Sequence, residues 1–305
     1  MPRTCTLALD IGGTKIAHAL IPDDAPDTTL GSGRVSTQGA GLSPLEQTRA
    51  ALEAGLQEAA RLNVQIQRVG MGAPGVVRAP AGEIIYNGDT ITGWAGSDLR
   101  GLTQSIIDVP FAAHNDVRVW AYGEHLLGAG LRHALSGRVL YVSLGTGVGG
   151  AIIDEGQLLT GSTSTAGEFA EIICADHAGK AVRCENVASG TGLTRYYNST
   201  ADTNLTLHDI MKRWDAGEEL ARTIITGNLT GFGRTLGALT TLLDLAAVVV
   251  GGGVSGIGAP VLDPIREGIS QTTLVPNRGV HILTTELGPD AAVIAAAQYA
   301  RDHAF

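Results

Sequence analysis

Twice in this chain an apolar run breaks at a short turn of glycine and threonine and then resumes. The first copy is TLALDIGGTKIAHALI at residues 6–21, and the second is LYVSLGTGVGGAII at residues 140–153. In both, the apolar alternation reads as a strand, a glycine-punctuated turn and a returning strand. For the second copy the spacing predicts a strand over Val139–Ser143, a turn over Gly145–Gly150 and a strand over Ala151–Asp154. Two copies of one layout imply two related lobes, each founded on its own sheet. The 305 residues suit two domains.

The remaining pattern fills in mixed helices and strands. Ser43 is placed to cap a helix over Pro44–Leu62 that ends near Asn63. A short strand at Val69–Val77 is broken by Ala73-Pro74-Gly75, and residues 79–94 are loop-rich. A helix at Ser97–Ile107 and a strand at Phe111–Ala113 follow, and then a helix over Val117–Leu127 with Asp116 as its expected cap. Helical patterns dominate Leu193–Leu243 and recur at Pro260–Leu274 and Ala291–Arg301. Strands are expected at Ala246–Val250 and Val280–Thr285. This is the signature of an α/β protein. The expected division is residues 1–116 with a C-terminal helix near 289–305, against residues 117–288.

The charge balance narrows the partners. A net charge of −9 without a block of Lys and Arg offers no footprint for a phosphate backbone, so nucleic acid is not expected. No basic amphipathic helix suits a membrane surface. No apolar run reaches the roughly 20 residues of a bilayer span, and the longest, Leu242–Val250, carries Asp244. Three cysteines without a CxxC pair argue against a disulfide scaffold. With no signal-peptide pattern at residues 1–20, a soluble, cytoplasmic protein is expected.

Four segments carry chemistry. In the first copy Asp10 ends a strand, and Gly12, Gly13, Thr14 and Lys15 follow. Such a turn exposes backbone N–H groups to a phosphate, and Thr14 and Lys15 add donors. Asp10 is then a candidate to hold the Mg2+ that bridges ATP phosphates, directly or through water. This is not a Walker A loop, and an ordinary hairpin also fits. In the second copy Thr146 adds a hydroxyl beside Gly147. Gly145, Gly147 and Gly150 satisfy G-x-G-x-x-G, but a β-rich run follows instead of a helix, so the dinucleotide context fails. A second phosphate-holding hairpin and a plain turn both stay open. In AAVVVGGGVSG (residues 246–256), Gly252 and Gly253 lack Cβ atoms and would let a purine or its ribose lie on the backbone. Finally, HNDVRVWAYGE (residues 114–124) sets Asn115-Asp116 where a strand meets a helix. Asp116 there can accept the proton of an attacking hydroxyl while Asn115 holds a neighbouring one, or it can simply cap the helix.

Read in order, DIGGT, Gly72-Ala73-Pro74-Gly75, Asn115-Asp116, LGTGVGG, Gly167-Glu168, Glu185 with Ser189-Gly190, and VVGGGVS resemble the ROK family of repressors, open reading frames and sugar kinases. The similarity spans about Leu7 to Ala297. It implies an α/β actin-like ATPase (ribonuclease H-like) fold, with two lobes around a cleft. It also implies ATP-dependent phosphorylation of a hexose or N-acylhexosamine, at the 6-hydroxyl, with Mg2+. By the family pattern Asp116 is the catalytic base. Gly75, Asn87, Asn115, Glu168, Glu171 and Glu185 attend the sugar, with the loop Asn87–Trp94 beside it. Asp10, Gly12, Gly13, Thr14, Lys15, Thr146, Gly147, Gly252 and Gly253 attend the nucleotide and metal. Family habit implies a homodimer. Glucokinase and N-acetylmannosamine kinase are rival specificities, polyphosphate is a rival donor, and a non-catalytic sugar-binding protein is the rival of another class. A repressor is disfavoured, because DIGGT begins at Asp10 and leaves no room for a preceding helix-turn-helix.

The chain departs from the family in one place. Most members read GEIGH followed by CxCGxxGCxE, whose His and Cys bind zinc. Here residues 167–171 read GEFAE, so Glu171 stands where the His belongs, and only Cys174 and Cys184 follow. His177, Cys174 and Cys184 give three donors at unsuitable spacing where a tetrahedral site needs four, so no zinc is expected. Glu168 and Glu171 would repel if one helical turn apart, which points to an altered sugar preference. Glu171 as a solvated residue in a remodelled loop is the alternative.

Overall fold

The computed structural model describes residues 2–38, 41–88 and 91–305, so residues 89 and 90 of the expected Asn87–Trp94 loop lie outside the described residues. The chain forms two units. One comprises residues 1–132, 160–165 and 286–305, and the other residues 133–159 and 166–285.

The first unit opens with β1 (Arg3–Ile11), β2 (Lys15–Pro22) and β3 (Gly31–Ser36). Helix α1 (Pro44–Leu62) follows, then β4 (Val64–Ala73), a small hairpin of β5 (Val76–Arg78) and β6 (Glu83–Tyr86), and α2 (Leu99–Gln104). β7 (Phe111–Asn115), α3 (Asp116–Leu127) and α4 (Ala129–Arg132) complete this stretch. The sheet order is β3-β2-β1-β4-β7. β1 is antiparallel to β2 and parallel to β4, and β4 is parallel to β7. Alternation decides the burial: Leu7, Leu9 and Ile11 of β1 join Ile16 and Leu20 of β2 and Ala51 and Leu52 of α1 in one core. Helix α1 begins where expected. Ser43 and Glu46 form a reciprocal capping box, Pro44 takes the first turn, and Asn63 closes the helix at φ 51°.

Several boundaries differ from the sequence expectation. β4 starts at Val64, because the left-handed Asn63 turns the chain straight from α1 into the sheet. β3 was not expected from GSGRVS. It is held by backbone pairing with β2, with Gly33 opposite His18, and not by an apolar face. Helix α2 is shorter than Ser97–Ile107, since Asp98 caps it through the Gly101 N–H. Asn115, not Asp116, caps α3: its Oδ1 accepts the Arg118 N–H at 3.2 Å, which leaves Asp116 as the first helical residue.

The second unit repeats the plan. It contains β8 (Arg138–Leu144), β9 (Val148–Asp154), β10 (Gln157–Leu158) and the hairpin β11 (Ile173–Ala175) with β12 (Ala181–Arg183). Helices α5 (Cys184–Ala188), α6 (Gly190–Ala201), α7 (Leu207–Asp215) and α8 (Glu219–Leu243) come next. β13 (Ala247–Gly251), α9 (Ala259–Thr272) and β14 (His281–Thr284) finish it. Its sheet order, β10-β9-β8-β13-β14, has the same sequence of antiparallel and parallel neighbours as the first. The turn is shorter than Gly145–Gly150. β9 starts at Val148, because Gly149 and Gly150 stay in register with Ser143 and Val142. Among the described residues, no helix is long and apolar enough to cross a membrane.

The last helix, α10 (Ala291–His303), belongs to the first unit and packs on β4 and β1. Its run of alanines permits a close approach. A Cβ at buried Gly70 of β4 would strike the Ala296 carbonyl and the Ala300 methyl. Gly70→Val is therefore expected to cost about 2–3 kcal/mol by overpacking, read as a lowered urea midpoint at unchanged m-value.

Candidate active site

β1, β4 and β7 run parallel, with Asp10, Gly72 and His114 in register, so Asp10 and Asp116 stand at the carboxyl ends of the two strands that flank β4. Ligands of open α/β sheets gather at such ends. Gly72 is the spacer. A Cβ on it would lie 3.3 Å from the Asp116 Cα and 3.8 Å from Asp10 Oδ1, so a larger residue there would press on the Asp116 backbone and fill the space between the two acids. Burial, and after it the neighbouring charge of Asp116, push the Asp10 carboxyl up to about 7 against the opposing charge of Lys15. Asp116 is also held above the usual carboxylate range by burial. The Val117 N–H, donating to Oδ1 at 2.9 Å, and the Arg118 charge pull it back.

The turn after Asp10 is braced. Gly12 N–H donates to the Lys15 carbonyl at 2.9 Å, and the Thr37 hydroxyl donates to the Gly12 carbonyl at 2.6 Å. Gln38 Nε2 donates to the Gly13 carbonyl, and Thr37 N–H to the Thr14 carbonyl. Carbonyls are thus consumed on one side of the Gly12–Lys15 turn.

A second cluster surrounds Asn115. Its Nδ2 donates to the Gly75 carbonyl at 3.1 Å. Gly75 adopts φ 94° and backs onto Asn87, whose own amide donates to the Gly88 and Ile91 carbonyls. Trp94 is fully buried and anchors the same turn by donating to the Pro74 carbonyl at 3.0 Å. Gly75, Asn87 and Asn115 are thereby brought together.

Beneath them, buried His114 accepts the Asn115 N–H on Nδ1 at 2.7 Å and meets Tyr299 edge-on. Burial, helped by the charges of Arg118 and His303, pushes its pKa down to about 3.

In the second unit the β8–β9 turn is closed by Gly145 N–H donating to the Gly147 carbonyl at 2.9 Å. Glu185 of α5 accepts the Val148 N–H at 3.2 Å, and its carboxylate lies against Gly147, where a Cβ would stand 2.7 Å from Oε2. Ser189 caps α6, and Gly190 N–H donates to the Gly145 carbonyl, so α6 begins on the turn. β13 ends at Gly251, and Gly252, at φ 85°, presses on Leu144. Thr146 and Gly253 open onto one cavity of about 1000 Å³, whose wall is finished by Gly190, Arg195 and Asn198 of α6. Glu168 follows Gly167, which lies against Gly150 of β9 at φ 88°.

Glu171 does not join this group. It is exposed and paired with Arg183 at 2.9 Å, and residues 168–171 form no helix, so the expected spacing of one helical turn from Glu168 is corrected. Cys174 and Cys184 are free and buried. Sequence reasoning missed Thr37, Gln38, Arg118 and the α6 wall. The wall had a signal: its helix starts at Ser189-Gly190, immediately after Glu185.

Two half-buried acids at parallel-strand ends, two glycine hairpins and duplicated sheets define the actin-like class of ATPase folds. The ROK family model matches residues 6–303, and the chain belongs to the ROK family. A glucokinase from Streptomyces coelicolor is 29% identical over 97% of this chain and 98% of its own. An N-acetylmannosamine kinase from Escherichia coli is 28% identical over the same shares, 97% and 98%. The crystal structure of a ROK family glucokinase from Streptomyces griseus, in complex with glucose and AMPPNP, superposes with a TM-score of 0.79 at 28% identity, covering 98% of this chain and 99% of that one.

His114 gives the site a pH dependence of stability. A group whose folded pKa is depressed from 6.5 to about 3 favours the fold while neutral, so its contribution fades as pH falls through that window. The wild type should lose melting temperature relative to His114→Gln as pH drops from about 6.5 toward 4. A constant gap between the two proteins would contradict this.

Proposed function

We infer that this chain is an ATP-dependent sugar kinase, a phosphotransferase with an alcohol acceptor. We propose that it phosphorylates a hexose or N-acylhexosamine at the 6-hydroxyl, with Asp116 as the base. The observation that carries the reading is the half-buried pair of Asp10 and Asp116 on either side of Gly72. Burial raises the proton affinity of Asp116, which suits a carboxylate that takes a proton from an attacking alcohol. Asn115 and Asn87, locked onto the Gly75 carbonyl and onto the Gly88 and Ile91 carbonyls respectively, are proposed to position the neighbouring sugar hydroxyls, together with Glu168 and Glu185. Glu171 is the weaker member of the proposed sugar set, because Arg183 already engages it.

Gly12, Gly13, Thr14 and Lys15 in one hairpin, and Thr146 and Gly147 in the other, are proposed to donate to the ATP phosphates. Gly252 and Gly253 are proposed to admit the nucleoside to the cavity walled by α6, whose size suits a nucleotide. The carboxylate pair also fits a hard cation: the charge of Asp116 raises the proton affinity of Asp10, a repulsion that a nearby divalent ion would relax. Asp10 would hold Mg2+ there. Bound in that position, the ion neutralises charge on the phosphates. Transfer then requires alignment more than covalent help.

The similar identities of the glucokinase and N-acetylmannosamine kinase relatives keep both sugars in play. A coupled ADP-release assay over glucose, mannose, fructose, N-acetylglucosamine and N-acetylmannosamine should single out the acceptor. Asp116→Asn should cut kcat about 10³-fold or more while sugar affinity and folding persist. A variant turning over at the wild-type rate removes Asp116 from the chemistry. Gly253 has open space around its Cβ position, so Gly253→Val should fold and raise KM for ATP about tenfold while sparing KM for sugar.

A further inference from the structure

Arg118 is a charged side chain with no exposed surface, two residues after the base and on the same turn of α3. A guanidinium keeps its charge at any relevant pH, so burying one demands strong acceptors. One of them is specific and distant in sequence: Nη1 donates to the Ser164 carbonyl at 2.6 Å. Ser164 is unusual in its own right. It holds φ 60°, in the left-handed region that a serine seldom occupies, and the hydroxyls of its neighbours Thr163 and Thr165 bond each other at 2.8 Å. The segment Thr160–Thr165 belongs to the first unit, although the chain on both sides of it belongs to the second. It is a strap tied down by a buried arginine at a residue of strained backbone. Four residues beyond Ser164 comes Glu168, at most about 14 Å of chain away.

From this geometry we infer that Arg118 is a positioning residue for sugar recognition: it fastens the Thr160–Thr165 strap beside α3 and so fixes where the chain delivers Glu168. The inference rests on the sugar-kinase reading and on the proposed sugar contact of Glu168. Asp116 performs the chemistry, and Arg118 acts through the strap. Its loss therefore raises sugar KM through the strap, beside any change in kcat from removing its charge near Asp116, and the nucleotide cavity in the second unit is untouched.

The test is steady-state kinetics of the full chain with Mg-ATP and either glucose or N-acetylmannosamine. Arg118→Met should raise KM for the sugar about tenfold or more, the scale of a lost hydrogen bond to a charged donor, with KM for ATP within about twofold of wild type. Arg118→Lys should recover part of the loss. Glu168→Gln should raise sugar KM alone but add little in the Arg118→Met background, since residues acting through one contact are non-additive. Ser164→Pro leaves Arg118 in place but forbids the positive φ, so it should reproduce the Arg118→Met phenotype and decides the matter where Arg118→Met does not fold. Wild-type sugar KM in a folded Arg118→Met or in Ser164→Pro, or full multiplication of the Glu168→Gln effect, overturns the inference. A wild-type protein that phosphorylates neither sugar sinks the kinase reading itself, whereas an active wild type with indifferent strap variants sinks only the role of Arg118.

Discussion

Two carboxylates in one dry place repel each other, and the architecture of the first unit is arranged to hold them there. Asp10 and Asp116 reach the same locality because β1, β4 and β7 run parallel in register, and because the residue between them is glycine. Isolated, such a pair would be costly. The folded chain answers with N–H donors, with the charges of Arg118 and Lys15, and with raised proton affinity. Burial thus raises the proton affinity of both acids, and the charge of Asp116 raises that of Asp10 as well.

The duplicated sheets divide the labour. Each places a glycine hairpin at the mouth of its central antiparallel pair, and each hairpin is braced differently. In the first unit Thr37 and Gln38 take up its carbonyls. In the second, the Gly190 N–H at the start of α6 takes up the Gly145 carbonyl and Glu185 accepts the Val148 N–H, which ties a proposed sugar contact to a proposed phosphate turn. One topology thus supports two environments. The first is dominated by buried charge, and the second by a cavity of hydroxyls, amides and glycine.

Much of this was legible in the residues, for identifiable reasons. The paired strands, the α1 box at Ser43 and Glu46, and the buried strand before Gly251 follow from local periodicity and capping chemistry, which a sequence displays directly. The repeated strand–turn–strand layout foretold the matching sheet orders. β3 was hidden because an edge strand needs backbone partners more than apolar side chains. The cap of α3 was misread by one residue because Asn and Asp are both good caps, and only the geometry of the Gly75 contact distinguishes them. The partner of Glu171 was hidden because Arg183 lies twelve positions away, beyond any local pattern. Arg118 was invisible because a charged residue in a helix reads as solvent-facing, and its burial depends on Ser164, forty-six positions on.

The position of α10 has a bearing on how the molecule comes into being. It lies against β1 and β4, while Phe305 exchanges backbone hydrogen bonds with Phe111 of β7. During synthesis the strands of the first unit emerge early, yet the helix that shields one side of them emerges after the whole second unit. Until residues 291–303 leave the ribosome, that side of the nascent sheet stays bare. The growing chain must then avoid sticking to its neighbours while the whole second unit is being made, a demand that chaperone binding would meet.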